Sequence, residues 1–175
     1  MLKATVLVIL ALFAATFAQR GHLPPDPGAA GKRTVLGIDS DGDGVRDDIQ
    51  IEVTRLIPND PYARAGAMFW FAIEQRIFTA YEENPNESFE FFYPYFLASS
   101  ASARYAIITG AGNFISIDKR TMMLLNTRER FLVNNELDSI AHGRALRSHT
   151  FYPELREQLD REFQIFYERE KERQR

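Results

Sequence analysis

Apolar side chains recur at helical spacing in five segments of the chain, which predicts an all-α fold. Proline, glycine and asparagine residues lie between these segments, where they favour turns over helix interiors. The predicted helices cover residues 46–57, 61–83, 87–109, 118–142 and 153–173. No segment of comparable length alternates apolar and polar residues as a half-buried strand does. We therefore predict an irregular bundle of about five helices, in a single domain over residues 35–175.

Prolines mark two positions in this helical pattern. Asp60 and Pro61 form a favourable helix start, because aspartate caps free backbone N–H groups and proline fits the first helical position. Pro94 lies inside the third predicted helix, where proline removes a backbone donor and crowds the preceding turn. We therefore expect a kink or a break at Pro94.

Aromatic residues are concentrated on the second and third predicted helices. They are Phe69, Trp70, Phe71, Phe89, Phe91, Phe92, Tyr93, Tyr95 and Phe96. Helices with aromatic side chains on two sides are either deeply buried or present one face to a partner. A large aromatic core is the favoured interpretation. The alternative is an aromatic surface that binds an apolar ligand, a sugar or a protein partner. Its lining would come from Tyr93, Tyr95, Arg104 and Tyr105.

The first eighteen residues have the pattern of an export signal. An apolar run is followed by small residues at Thr16 and Ala18, which predicts a signal peptide over residues 1–18 with cleavage before Gln19. The alternative is an uncleaved anchor, but a membrane span needs about 20 apolar residues and Arg20 ends this run early. We expect an exported protein, periplasmic or secreted, with no stable membrane span after cleavage.

A segment rich in proline and glycine follows the predicted signal. Residues 19–34 contain Pro24, Pro25 and Pro27, which disfavour helix and central strand. We predict a flexible extended arm, with a strap docked across the domain as the alternative.

Composition excludes several classes of protein. The chain has 175 residues, a length that suits one domain. It has no cysteine, which excludes disulfides, a thiol nucleophile and a thiolate metal site. Its formal net charge is −3, whereas nucleic-acid binders usually carry a basic surplus, so we expect no nucleic-acid partner.

An acidic loop at residues 39–50 carries the clearest chemical signal. Asp39, Asp41 and Asp43 alternate along it, and Gly44 follows where a tight loop has to turn sharply. Side chains in this alternation can point to one centre, and calcium takes about six to eight oxygen ligands. Magnesium keeps more of its own waters, so we expect one calcium ion.

The remaining ligands would come from the second half of the loop. Val45 would offer its backbone carbonyl oxygen, and Asp47 would bind directly or through water. Two carboxylates are candidates for closing the shell, Asp48 first and Glu52 second. Without a cation the neighbouring carboxylates would repel one another. The alternative interpretation is a solvated acidic turn.

The loop resembles the calcium loops of EF-hands and of thrombospondin type 3 repeats, which share the pattern D-x-D-x-D-G-x-x-D. The matching residues are Asp39, Asp41, Asp43, Gly44 and Asp47. Three features depart from a full EF-hand: Gln50 stands where the bidentate glutamate would be, Arg46 stands at position 8, which is normally apolar, and no predicted helix enters the loop. The resemblance therefore implies half of an EF-hand, a calcium loop followed by one helix.

A wider segment, from LPPDPG to the end of the acidic loop, resembles the start of small uncharacterised exported bacterial proteins. That resemblance implies export and calcium binding but no reaction. We expect a binding or structural module with one structural calcium ion, and the aromatic surface is the alternative. An enzyme ranks last, because His142 and His149 are the best candidates for catalysis and no nucleophile accompanies them.

Overall fold

The computed structural model describes residues 23–142 and 153–174, which contain six α-helices and no strand. The helices are α1 (Asp47–Leu56), α2 (Pro61–Glu83), α3 (Phe89–Ile108), α4 (Ile117–Leu124), α5 (Arg128–Ala141) and α6 (Pro153–Arg173). Short 3₁₀ turns cover Ala30–Lys32 and Ala111–Asn113. The predicted all-α class is thus confirmed for this part of the chain. The predicted signal peptide at 1–18, the first arm residues at 19–22 and His149 lie outside it.

Local capping explains where α2 begins. The Asp60 carboxylate accepts a hydrogen bond from the Ala63 backbone N–H at 2.9 Å, and Pro61 is the first residue of the helix. This start was predicted, and the predicted end at Glu83 is also confirmed.

The prediction of one helix over residues 118–142 is wrong. The structure has two helices there, α4 and α5, separated at residues 125–127. Thr127 is extended, with φ −132° and ψ 160°, and its hydroxyl accepts from the Arg130 backbone N–H at 3.2 Å. A threonine cap of this kind ends one helix and starts another without any proline or glycine.

Of the two outcomes expected at Pro94, a kink or a break, the break does not occur. One helix, α3, is continuous from Phe89 to Ile108 with Pro94 inside its second turn. Proline this close to a helix start removes one backbone N–H donor, but the remaining turns keep their hydrogen bonds.

The core forms where α2 packs between α3 and α6. Phe69 of α2 lies edge-on to Tyr105 of α3, with ring centroids 4.9 Å apart. Phe163 and Phe166 of α6 pack on the Phe69 ring, with ring centroids 6.0 and 5.6 Å from its centroid. These four aromatic residues are buried. Of the nine aromatic residues from which an aromatic core was predicted, three are buried, Phe69, Phe71 and Phe92, and the other six are half-buried. Among the described residues, no helix is long and apolar enough to cross a bilayer.

Two buried arginines fasten the segments before α1 to the helices α4 and α5. Arg130 of α5 donates to the backbone carbonyls of Gly31 and Val35, at 2.6 and 2.9 Å. Arg46, which precedes α1, donates to the carbonyls of Met123 and Leu124 at the end of α4. The second half of the predicted arm is therefore held against the helices. Asp39, Asp41 and Asp43 of the acidic loop lie between the segment that Arg130 holds and Arg46.

Candidate metal site

The acidic loop is a tight turn closed by its own backbone. Gly44 has φ +87°, a left-handed value that glycine adopts readily, as its place in the loop predicted. The Asp39 carboxylate accepts from the backbone N–H groups of Asp43 and Gly44, at 3.1 and 2.8 Å. The Asp47 N–H donates to the Ile38 carbonyl at 2.8 Å, which connects the loop to the first turn of α1.

Three aspartates of the loop come together as a cluster. Carboxylate oxygens of Asp39, Asp41 and Asp43 lie within 4.8 Å of one another. Asp39 is exposed, Asp41 is half-buried and Asp43 is buried, so the cluster runs from the surface inward. The inner oxygen Oδ1 of Asp41 has no hydrogen-bond partner among the residues described. Buried carboxylate oxygens without a donor are rare, so this atom is a candidate ligand for an ion.

Gln50 approaches the same cluster from the first turn of α1. Its side chain is fully buried, and its Nε2 donates to Asp43 Oδ2 at 2.8 Å and to Asp41 Oδ2 at 3.2 Å. The Gln50 Oε1 atom is buried and has no hydrogen-bond donor in the described part of the chain. Rotation of the Gln50 side-chain amide by 180° would exchange the positions of Oε1 and Nε2. Gln50 can therefore present an oxygen to a cation in the place where it now donates to carboxylates.

Two arginines of α6 also reach the cluster. Arg173 Nη2 lies 3.2 Å from Asp41 Oδ2 and 3.7 Å from Asp43 Oδ2. Arg169 Nη1 lies 3.6 Å from Asp43 Oδ2. These residues are more than a hundred positions away from the loop in sequence, and no local motif could have identified them.

Two carboxylates of the cluster, those of Asp43 and Asp39, hold their protons more tightly than free carboxylates do. Burial, reinforced by the charge of Asp41, raises the pKa of Asp43 to about 7. Partial loss of solvent around the carboxylate and the same neighbouring charge raise the pKa of Asp39 to about 6. Clustered carboxylates that resist ionisation favour a counter-ion, and a divalent cation would lower both pKa values.

The other predicted ligands have different surroundings. Val45 is buried, and its N–H donates to Asp43 Oδ1 at 2.8 Å. Asp47 is also buried, and its Oδ1 accepts from the Ser40 N–H at 2.9 Å. Val45 lies in the loop and Asp47 is the first residue of α1, so both stay next to the aspartate cluster in sequence.

The two candidates for the closing carboxylate bind other groups. Asp48 accepts from Arg46 Nε at 2.9 Å and from Asn126 Nδ2 at 2.8 Å. Burial opposes its ionisation, but these two partners hold the pKa of Asp48 below its usual value. Glu52 accepts from Arg55 and Lys119, and these bonds lower the pKa of Glu52 to about 2. The structure thus brings Gln50, and neither Asp48 nor Glu52, to the aspartate cluster.

The residues predicted to line an aromatic surface do not share one face. Tyr105 is buried, and its hydroxyl donates to Asp160 of α6 at 2.5 Å. Arg104 pairs with the same carboxylate at 3.2 Å. Tyr93 and Tyr95 are half-buried and pack on Phe89 and Phe91 respectively. His142, from the enzyme alternative, is exposed at the end of α5.

Comparison of the chain with protein-family models, curated proteins and solved structures gives no significant match. The interpretation of the site therefore rests on its own geometry.

Proposed function

We propose that this protein binds one calcium ion in the acidic loop, as a structural site in an exported helical module. The observation that supports it best is the aspartate cluster, with carboxylate oxygens of Asp39, Asp41 and Asp43 within 4.8 Å of one another. Two buried oxygens at this cluster, Asp41 Oδ1 and Gln50 Oε1, lack a hydrogen-bond donor among the described residues. A cation would give Asp41 Oδ1 a partner, and it would give Gln50 Oε1 a partner once the Gln50 amide has turned by 180°.

The donor set favours a hard cation. Carboxylate, amide and carbonyl oxygens suit calcium or magnesium, whereas zinc and copper sites usually contain histidine or cysteine. The loop offers several oxygens from a flexible turn, which fits the six to eight ligands of calcium at about 2.3–2.6 Å. Magnesium demands near-ideal octahedral geometry and keeps several waters. We therefore assign calcium as the preferred ion.

The ion would stabilise the loop and the start of α1. Asp39 and Asp43 now accept hydrogen bonds from the loop backbone, and a bound cation would hold their carboxylates together against repulsion. At a free concentration ten times the dissociation constant, mass action contributes about 1.4 kcal/mol. That is a useful addition to a domain whose total stability is on the order of 5–15 kcal/mol.

Export would place this loop where calcium is available. The small residues at Thr16 and Ala18 after an apolar run support a signal peptide over residues 1–18. Calcium sites of extracellular modules typically bind at about 10⁻⁴–10⁻³ M. We propose that the protein is exported and that its loop has an affinity in this range.

Calcium titration of the purified, chelator-treated protein by calorimetry tests the proposal. We expect one ion per chain and a higher melting temperature in calcium than in chelator. Asp41→Asn should abolish both effects, because it removes a charge from the centre of the cluster. Asp118→Asn, at an exposed position in the first turn of α4, is the matched control and should bind as the wild type does. Absence of heat and of any shift in melting would exclude the site.

Variants at the candidate closing positions identify the last ligand. Gln50→Leu removes the buried amide oxygen and should weaken calcium binding about tenfold, the equivalent of about 1.4 kcal/mol. Asp48→Asn and Glu52→Gln should leave the affinity within about twofold, since both carboxylates bind arginine, lysine or asparagine elsewhere. A large loss in Asp48→Asn with none in Gln50→Leu would assign the closing ligand to Asp48.

A further inference from the structure

The end of α6 supplies positive charge to the aspartate cluster. Arg173 donates to Asp41 Oδ2, and its side chain is only 12% exposed. Arg169 places Nη1 3.6 Å from Asp43 Oδ2, and Nη1 is buried without a hydrogen-bond partner in the described part of the chain. Two guanidinium groups thus stand beside the carboxylates that the proposed calcium site uses.

The carboxylate oxygens of Asp41 and Asp43 cannot bind calcium and the guanidinium groups of α6 strongly at the same time. Asp41 Oδ2 accepts from both Gln50 and Arg173, and Asp43 Oδ2 accepts from Gln50 and faces both arginines. Calcium needs direct contact with carboxylate oxygens, and a divalent ion there would repel guanidinium groups a few ångströms away.

We propose that calcium and the arginines of α6 exchange on the aspartate cluster, so that calcium binding releases the last turn of α6 from the acidic loop. This inference rests on the proposed calcium site and goes beyond it, because it couples that site to a helix remote in sequence. Arg169 and Arg173 act as built-in counter-ions of the ion-free loop. By thermodynamic reciprocity, weakening the arginine contacts strengthens calcium binding, and calcium weakens the arginine contacts.

The released arginines keep other partners, which makes the exchange local. Arg173 also binds Glu170, one turn earlier on α6, through its other terminal nitrogen. Arg169 lies over the ring of Phe166, with its guanidinium carbon 5.7 Å from the ring centroid. The apolar face of α6 stays anchored in the core through Leu159, Phe163 and Phe166. Only the contact between the loop and the last turn changes.

Calcium calorimetry on arginine variants of the full chain tests this exchange. Arg173→Gln and Arg169→Gln should each raise the calcium affinity about tenfold, because each removes a positive charge that competes with the ion. Arg161→Gln is the matched control on the same helix, since Arg161 is exposed and pairs with Glu157 at 3.7 Å. Its affinity should stay within about twofold of the wild type.

Hydrogen exchange on the unmodified chain gives a second readout that does not depend on any variant. Calcium should accelerate exchange of the backbone amides at residues 169–173 and slow exchange within the loop at 39–47. Slower or unchanged exchange at 169–173 on calcium binding would overturn the inference.

The outcomes separate the inference from the proposed function. Calcium binding with the same affinity in the wild type, Arg169→Gln and Arg173→Gln would overturn the exchange while the calcium site stands. Absence of calcium binding in all of these proteins would overturn both. Tighter binding in Arg161→Gln, equal to that of the other two variants, would mean that overall charge acts on the ion and would also overturn the exchange.

Discussion

Glu74 shows how one half-buried glutamate can set a pH dependence far from the acidic loop. It lies on α2 and accepts a hydrogen bond from the Ser99 hydroxyl of α3. Burial raises the pKa of Glu74 to about 7, although the bond from Ser99 and the charge of Arg120 act in the opposite direction. The nearby charge of Asp138 adds to the rise. Ionisation of Glu74 near neutral pH is therefore unfavourable to the folded state.

The wild type should lose stability as the pH rises from mild acid to alkaline values, because Glu74 ionises. Glu74→Gln should not show this part of the loss. The pKa of Glu74 is raised from 4.5 to about 7 in the folded protein, so this group stabilises the fold fully below pH 4.5. That contribution is lost as the pH rises through 7. Thermal melts in calcium should show the variant gaining on the wild type from pH 5 to pH 8. The control is Glu83→Gln, an exposed position at the end of the same helix. A constant difference between Glu74→Gln and the wild type at both pH values would contradict the prediction.

At the acidic loop, contacts between residues close in sequence could be predicted, whereas contacts made by residues of other elements could not. The alternation of Asp39, Asp41 and Asp43 was enough to place their carboxylates together, because a tight loop fixes its own side chains. Gln50 was recognised as a departure from the EF-hand pattern, yet its approach to the cluster depends on the first turn of α1. The arginines of α6 depend on tertiary packing, which local spacing does not encode.

Between elements, α2 and the end of α3 approach each other closely where Gly66 faces Thr109. A β-carbon added at Gly66 would lie 2.0 Å from Thr109 Oγ1 and 2.8 Å from its Cβ. Thr109 is held in place because its hydroxyl donates to the Tyr105 carbonyl at 2.6 Å. The absence of a side chain at Gly66 therefore permits the end of α3 to pack directly on α2.

Gly66→Ala should destabilise the fold by about 1–3 kcal/mol, the usual cost of overpacking a core. Alanine favours helix over glycine, so a loss of stability would show that the clash outweighs propensity. Urea unfolding measures the change. Gly112→Ala is the control, because a β-carbon there meets nothing closer than 3.8 Å. Thr109→Ala should recover part of the loss when combined with Gly66→Ala, and strictly additive effects of the two substitutions would refute the clash.

The segments that form helices could be predicted more readily than the number of helices into which they divide. Periodicity and the Asp60–Pro61 start placed α2 correctly, since propensity, capping and burial agree there. The break before α5 was missed because Asn126 and Thr127, which favour turns and helix starts, stand without any proline or glycine in a pattern that otherwise continues as a helix. The break expected as one outcome at Pro94 did not occur, because proline near a helix start is tolerated better than proline in a helix centre.

At the scale of the whole molecule, a buried ion pair and its neighbours connect α2 and the end of α1 to α6. Arg64 of α2 donates to Glu170 of α6 at 2.6 Å, and both side chains are at most 3% exposed. Arg64 also donates to the carbonyls of Ile57 and Pro58, which terminate α1. Glu170 continues the network to Arg173 and so to the acidic loop. Two helices, the carbonyls that follow α1 and the candidate metal site thus share one ionic network.

Removing one member of this network should therefore cost more than removing an exposed ion pair. Glu170→Gln leaves the Arg64 charge buried without its carboxylate, and we expect a loss of about 3 kcal/mol in urea unfolding. Glu168→Gln, two residues earlier on α6, breaks an exposed pair with Lys171 and should change stability by less than about 1 kcal/mol. Replacing both Arg64 and Glu170 by methionine should cost less than Glu170→Gln alone, since no charge is then left unpaired. Equal losses in Glu170→Gln and Glu168→Gln would show that the network does not join the helices energetically, whatever its geometry. A larger loss in Glu170→Gln, present in chelator as well as in calcium, would establish that the joint between α1, α2 and α6 exists before any ion binds.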